Sequence, residues 1–292
     1  MAAWLTIQIG LVTLAVLVVG RAASWRAVTG LLVTASLVLP WFATVAPLGR
    51  AVLCFVGLLA VVKTTQIGTS PDQWPTRRRL WHGLVPFDVR QVRFVTPAMD
   101  WPLLGTVALY VALCTGAFLA LRALVSVQAP VRMSGRLLCG AVLVFTWVAA
   151  SSDIVRLGHR LLGVEVPPIQ SAPLLARSAG EFWGARWNRP WSEWLRRFAF
   201  LPLARRHHAT LGVLAAFALS GLMHAWLALV AVGASAAARM GTFFIVQGLI
   251  VVAESHLHLR AWPSYAAHAW ALIAVLAPSP LFVAPILSAL GV

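Results

Sequence analysis

The sequence predicts an all-α, polytopic integral membrane protein, and three observations carry that prediction. Of its 292 residues, 60% are hydrophobic and 11% charged, against roughly a quarter charged in soluble domains. Mean hydropathy is +0.85. Apolar stretches close to the about 17–25 residues that cross a bilayer recur along the chain. In lipid only helices or closed barrels satisfy the backbone, and stretches of this length are helices.

About eight spans are expected, with seven to nine as the range: 3–20, 28–48, 51–68, 102–124, 137–152, 209–234, 241–258 and 266–290. The first has no preceding positive charge, its arginines (Arg21, Arg26) following it, so it reads as a retained span rather than a cleaved leader. The fifth is short, and Pro278 and Pro280 interrupt the eighth. One membrane domain over 1–292 is expected, with two insertions. The first, 69–101, holds Arg77-Arg78-Arg79 and reads as mostly irregular, because Pro71, Pro75, Pro86 and Pro97 punctuate it. The second, 153–208, reads as short interfacial helices.

The formal net charge is +15, and its placement orients the chain. The odd-numbered connections between these spans carry 17 arginines and the even-numbered ones five, if Arg122 is counted with its adjoining connection. The positive-inside rule then puts the odd connections in the cytoplasm, loop 153–208 and its nine arginines included. Attraction to anionic lipid accounts for most of these charges.

Cys54, Cys114 and Cys139 lie in apolar stretches without CxxC spacing and read as small buried hydrophobes. The acids are few: Asp72, Asp88, Asp100, Asp153, Glu165, Glu181, Glu193 and Glu254. No two suit an Asp-rich magnesium site, and no phosphate loop or GxSxG elbow occurs. No metal and no bound cofactor is expected. Glu254-x-His256-x-His258 places its side chains on different faces of a helix, which disfavours a shared metal. Lys63, near the end of its span, is expected to snorkel.

Ser178-x-x-Glu181 is a capping-box pattern that starts a helix near Ala179. Trp183, Trp187, Trp191, Trp194 and Phe198 follow on one helical stripe, and Pro190 breaks the helix, leaving Asn188 at a junction of two short helices with unpaired backbone groups. An interfacial amphipathic helix explains the tryptophans and arginines but requires neither Gly184 nor Asn188. About 30 residues on, His224 stands inside the apolar segment 209–234, after Ser220 and Gly221. An ionisable side chain at that depth is a functional residue by default. The structural alternative is a neutral imidazole bonded to a neighbouring helix, which small residues such as Ser220 and Gly221 would let approach.

Together the two elements resemble the wax-synthase-like branch of the membrane-bound O-acyltransferases. The resemblance rests on Ser178, Glu181, Phe182, Trp183, Gly184, Arg186, Trp187 and Asn188, then on Phe217, Ser220, Gly221 and His224. It covers about 50 residues, within the region 175–235. It departs at Ala225, where plant members often carry an acid, and Pro190 has no matching position. The resemblance implies transfer of an acyl group from acyl-CoA, a co-substrate, to a hydroxyl of a lipidic acceptor, with His224 catalytic and Asn188 its partner. A long-chain alcohol, giving a wax ester, leads among acceptors. Trp183, Arg186, Trp187, Arg189 and Ser220 are the candidate acyl-CoA contacts.

The chemistry of the residues is compatible. Alcoholysis of a thioester needs a base, which neutral imidazole supplies, and a donor to the developing oxyanion, which an amide supplies. Expected partners are acyl-CoA, the acceptor and the bilayer; no nucleic acid and no obligate protein partner is expected. Two other readings remain. One is transfer of a short acyl group to a terpenoid, sterol or glycan. The other is a lipid transporter or lipid-binding protein with His224 as proton relay, which would need further acids along its path, where only Glu254 clearly lies within a span.

Overall fold

The computed structural model describes residues 1–21, 25–71, 73–124 and 129–292, so Asp72 lies outside the described residues. The helices in chain order are α1 (Ala2–Val18), α2 (Trp25–Phe42), α3 (Pro47–Gly68), α4 (Thr76–Leu84), α5 (Trp101–Ala123), α6 (Ala129–Leu161), α7 (Ala179–Glu181), α8 (Arg189–Leu195), α9 (Leu201–Ala204), α10 (Ala209–Ala231), α11 (Ala234–Glu254), α12 (Ser264–Leu276) and α13 (Pro280–Leu290). Two short strands, β1 (Arg93–Phe94) and β2 (Val164–Glu165), pair antiparallel.

Among the described residues, six helices are long and apolar enough to cross a membrane: α2, α3, α5, α6, α10 and α11. The pair α12 and α13, bent by 48° at the Pro278–Pro280 break, makes a seventh if it is one span. The first expected span, 3–20, is α1, an apolar helix of 17 residues. The span predicted at 137–152 is the middle of a 33-residue helix, so the connection expected from 153 begins as helix. Asp153 and Arg156 pair across one turn of it at 2.8 Å.

The contacts group the chain into two compact units. The first comprises Met1–Arg90 and Met223–Ala237. Its packing centre is polar: the buried Gln8 on α1 donates through Nε2 to Ser36 O of α2 (2.7 Å) and Leu53 O of α3 (3.1 Å). Gly57 permits that approach, since a Cβ there would stand 2.6 Å from Ser36 O. Helices in lipid pack through such small residues and polar links.

The insertion 69–101 is less irregular than expected. Its prolines bracket α4, which starts directly after Pro75, rather than interrupt it. Lys63 does not snorkel: it is 1% exposed and donates to Phe87 O at 2.7 Å, because the turn after α4 folds over it. His82 is fully buried beside it. The Val89 N–H faces Nδ1, so Nε2 carries the proton donated to Gln66 Oε1 (2.9 Å).

Burial, with Lys63 nearby, pushes the His82 pKa down to about 3. From the ordinary histidine value of about 6.5 down to that point the unfolded chain binds a proton the folded chain refuses, so stability falls as pH falls, by up to about 1.4 kcal/mol per pH unit. The melting midpoint of the solubilised protein should therefore drop between pH 6.5 and 4.5, and His82→Gln should flatten that slope. An equal slope in the variant would assign the effect elsewhere.

The second unit comprises Gln91–Leu222 and Ala238–Val292. One core joins Ala117 and Leu121 of α5, Leu143 of α6 and Val283 and Leu287 of α13. Asp100 caps α5 by accepting from Leu103 N at 3.0 Å.

Candidate active site

The motif segment is built as its local pattern predicts. Ser178 Oγ accepts from Glu181 N (2.8 Å), and the helix starts at Ala179. The Glu181 carboxylate reaches back one residue further than a capping box would, to Arg177 N (2.7 Å), and pairs with Arg186 Nε (2.7 Å). Burial alone would raise its pKa, but the Arg177 N–H and the Arg186 guanidinium outweigh it and hold the carboxyl below its usual value. Arg186 also donates to Ser171 O and Ala172 O. That guanidinium is therefore committed within the protein, whereas Arg189 is exposed and donates to Pro168 O (3.2 Å).

The tryptophan stripe is divided. Phe182–Arg186 form a π-turn, closed by Trp187 N–H on Phe182 O at 2.8 Å. The chain then reverses at Asn188, which is left-handed with φ 42° and ψ 55°, and enters α8. The expected junction of two short helices is there, but its backbone groups are not unpaired. Asn188 N–H donates to Gln170 Oε1 (2.9 Å), and its carbonyl accepts from Trp191 N and Ser192 N. Arg189 N–H donates to Ile169 O, and Ser171 N–H to Arg186 O. The stretch 169–171 thus runs along the junction and satisfies it, while the Asn188 side chain makes no capping bond.

Trp191, Trp194 and Phe198 form one aromatic run beyond the turn. Trp183 and Trp187 belong to another. Trp187 stacks on Phe182, with centroids 5.5 Å apart. Trp183 sits among Phe217, Phe243 and Phe244, each about 6 Å away, and donates through Nε1 to Gln247 Oε1 (2.9 Å). The two halves of the sequence pattern therefore meet at Trp183 and Phe217. α10 and α11 pack closely there, since a Cβ on Gly248 would stand 2.8 Å from Phe217 Cβ and one on Gly221 3.1 Å from Phe244 Cβ. Gly221 is explained by that packing. Gly184 is not: nothing lies within 4 Å of a Cβ built on it, and the residue is exposed.

Ser220 and His224 are both partly buried on α10. His224 comes seven residues after Phe217, two turns along the same stripe of one helix, and belongs to the first unit, whereas Asn188 belongs to the second.

The roles of three residues that hold the motif escaped sequence reasoning, Glu254 having been weighed only as a metal ligand or relay acid. Glu254 accepts from Ala179 N (2.6 Å), Gly180 N (2.8 Å) and Trp270 Nε1 (2.8 Å), tying the first turn of the motif to α11 and α12. Gln247, on the same helix, holds Trp183 and caps the Ala274 and Val275 carbonyls before the break in the bent pair. His268 Nδ1 lies 3.0 Å from Ala176 O. Only an acid and an amide inside an apolar helix could have signalled the first two. Among the described residues no three His, Cys, Asp or Glu gather as a metal site.

Beside the motif opens a small, half-open apolar cleft, with Phe145, Trp183, Trp187, Phe243, Val275 and Phe282 in its wall. Its lining suits hydrocarbon.

Residues 166–246 match the sequence pattern of the membrane bound O-acyl transferase family. Over 110 residues, 35% of this chain and 32% of the relative, the protein is 33% identical to the "Probable long-chain-alcohol O-fatty-acyltransferase 2" of Arabidopsis thaliana. Over 115 residues, 37% of this chain and 32% of the relative, it is 31% identical to the "Long-chain-alcohol O-fatty-acyltransferase" of Simmondsia chinensis. Each match takes in about a third of the relative's own length. The matched stretch contains the whole Trp183–Asn188 turn and His224. Over about a third of its length, then, the chain is similar to membrane-bound O-acyltransferases, and to long-chain-alcohol O-fatty-acyltransferases among them.

Proposed function

We propose that this protein transfers an acyl group from acyl-CoA to the hydroxyl of a long-chain alcohol, forming a wax ester. The observation that carries the reading is Asn188: it sits in a left-handed turn whose backbone is fully paired, with a side chain the fold does not use for capping, inside the segment that matches the membrane bound O-acyl transferase family. Left-handed residues other than glycine persist where the surroundings enforce them, and they cluster at functional sites.

The step is direct attack. The alcohol oxygen adds to the thioester carbonyl while the His224 imidazole takes the hydroxyl proton. The Asn188 amide donates to the oxyanion, and collapse expels the coenzyme A sulfur, which receives the proton back from the imidazolium. No acyl-enzyme is needed. The aromatic cleft offers a place for one hydrocarbon chain. Arg189, exposed beside the turn, is the cation of the motif best placed to meet a phosphate, since Arg186 is already paired. Trp183, Trp187 and Ser220 then serve as apolar and polar walls. The arginine bias supports a cytoplasmic side for loop 153–208, the side on which acyl-CoA is found. The proton-relay reading is weakened because Glu254 already accepts three hydrogen bonds.

The test is to incubate the purified protein with long- and short-chain acyl-CoA and with hexadecanol, a sterol and diacylglycerol, reading esters by mass spectrometry. Hexadecyl ester from the long-chain donor is expected to dominate. Ester formation only from acetyl-CoA, or only on a sterol, would replace the acceptor or donor assignment, and none at all would overturn the reading.

A further inference from the structure

We propose that Gln170 is the positioning residue of Asn188, an assignment that rests on the function proposed above. Gln170 Oε1 accepts the Asn188 N–H at 2.9 Å and is thereby the side chain that pins the left-handed residue from outside its own segment. On either side, Arg189 N–H donates to Ile169 O and Ser171 N–H to Arg186 O, so the carboxamide sits at the centre of a three-bond seam along the turn. The other half of that carboxamide gains nothing. Gln170 Nε2 is buried without a hydrogen-bond partner among the described residues.

A buried donor left unpaired is costly, and each such group asks for an explanation. Stability alone would favour at this place a side chain that accepts the Asn188 N–H without burying an idle N–H2. A glutamine here is explained by what its oxygen holds. With the main chain of Asn188 fixed at N–H and carbonyl, the remaining freedom of the residue is in its own carboxamide, which is the group offered to the oxyanion. Loosening the seam would let that amide wander, and displacements of about 1 Å in a positioning element cost up to about 100-fold in rate.

The role separates activity from stability. Gln170→Met removes the orphaned N–H2 but leaves the Asn188 N–H without its acceptor, so the two changes oppose and the melting midpoint should stay close to the parent's. Its kcat should fall at least about tenfold while KM for acyl-CoA stays within about twofold. Hydrogen exchange at the Asn188 amide should quicken, with the rest of the second unit unchanged. Gln170→Glu keeps an oxygen facing that amide and should restore most of kcat.

The assignment is overturned if Gln170→Met keeps the parent kcat, if kcat, KM and melting midpoint all worsen together, or if Gln170→Glu behaves like Gln170→Met. If the parent protein transfers no acyl group at all, the proposed function fails first. The exchange measurement then still decides: an Asn188 amide protected in the parent and released in Gln170→Met keeps the seam, and equal exchange in both removes it.

Discussion

His224→Ala is expected to lower kcat for ester formation by about 1000-fold, a loss within the range that general acid–base catalysis supplies. The imidazole is asked for two proton transfers, one from the alcohol and one to the departing sulfur, and alanine can make neither. His224→Gln sharpens the test, because it retains bulk and a hydrogen-bond donor without a base. It should be as inactive as the alanine variant, with parent-like expression and melting midpoint. Initial rates at saturating palmitoyl-CoA and hexadecanol decide it. A His224→Gln enzyme within tenfold of the parent would reduce His224 to the helix-packing role that its small neighbours Ser220 and Gly221 would permit.

The membrane helices were legible because a bilayer allows so few backbone solutions, and composition alone nearly determines them. Their limits were not. The α6 helix runs past its apolar part through Ser151, Ser152 and Asp153 to Leu161, since hydropathy marks where lipid ends and not where hydrogen bonding ends. The bend between α12 and α13 was written in Pro278 and Pro280, and the start of α7 in Ser178 and Glu181, because both signals act within a few residues.

What could not be read is non-local. Glu254 binds an amide 75 residues before it, Gln247 an indole 64 residues before it, and Gln170 an amide 18 residues after it. A lone acid in an apolar helix looks like a relay or a ligand until its three donors are in view. Lys63 looked like a snorkelling side chain for the same reason: its acceptor, Phe87 O, lies beyond a turn that the pattern of prolines concealed. The pairing of the Asn188 backbone was equally hidden, since Pro190 announces a broken helix without saying which strand of chain repairs it.

Asn188 presents the second large effect, and its backbone makes the choice of substitution decisive. At φ 42° a Cβ-bearing residue other than Asn or Asp pays about 1–2 kcal/mol for the left-handed conformation. Asn188→Ala therefore removes the amide and adds strain, and its rate loss mixes the two. Asn188→Gly removes the amide while glycine adopts the turn freely, so its loss reports the side chain alone. Both variants should lose about 100-fold or more in kcat, as removal of one oxyanion donor does, with KM for acyl-CoA nearly unchanged. The glycine variant should match the parent in melting midpoint and the alanine variant fall below it. Asn188→Asp tolerates the turn and preserves shape but offers an acceptor where a donor is required, so it should be no faster than the glycine variant. Should Asn188→Gly retain the parent rate while Asn188→Ala loses it, the residue acts through the shape of the turn, and the oxyanion donor has to be sought in another group.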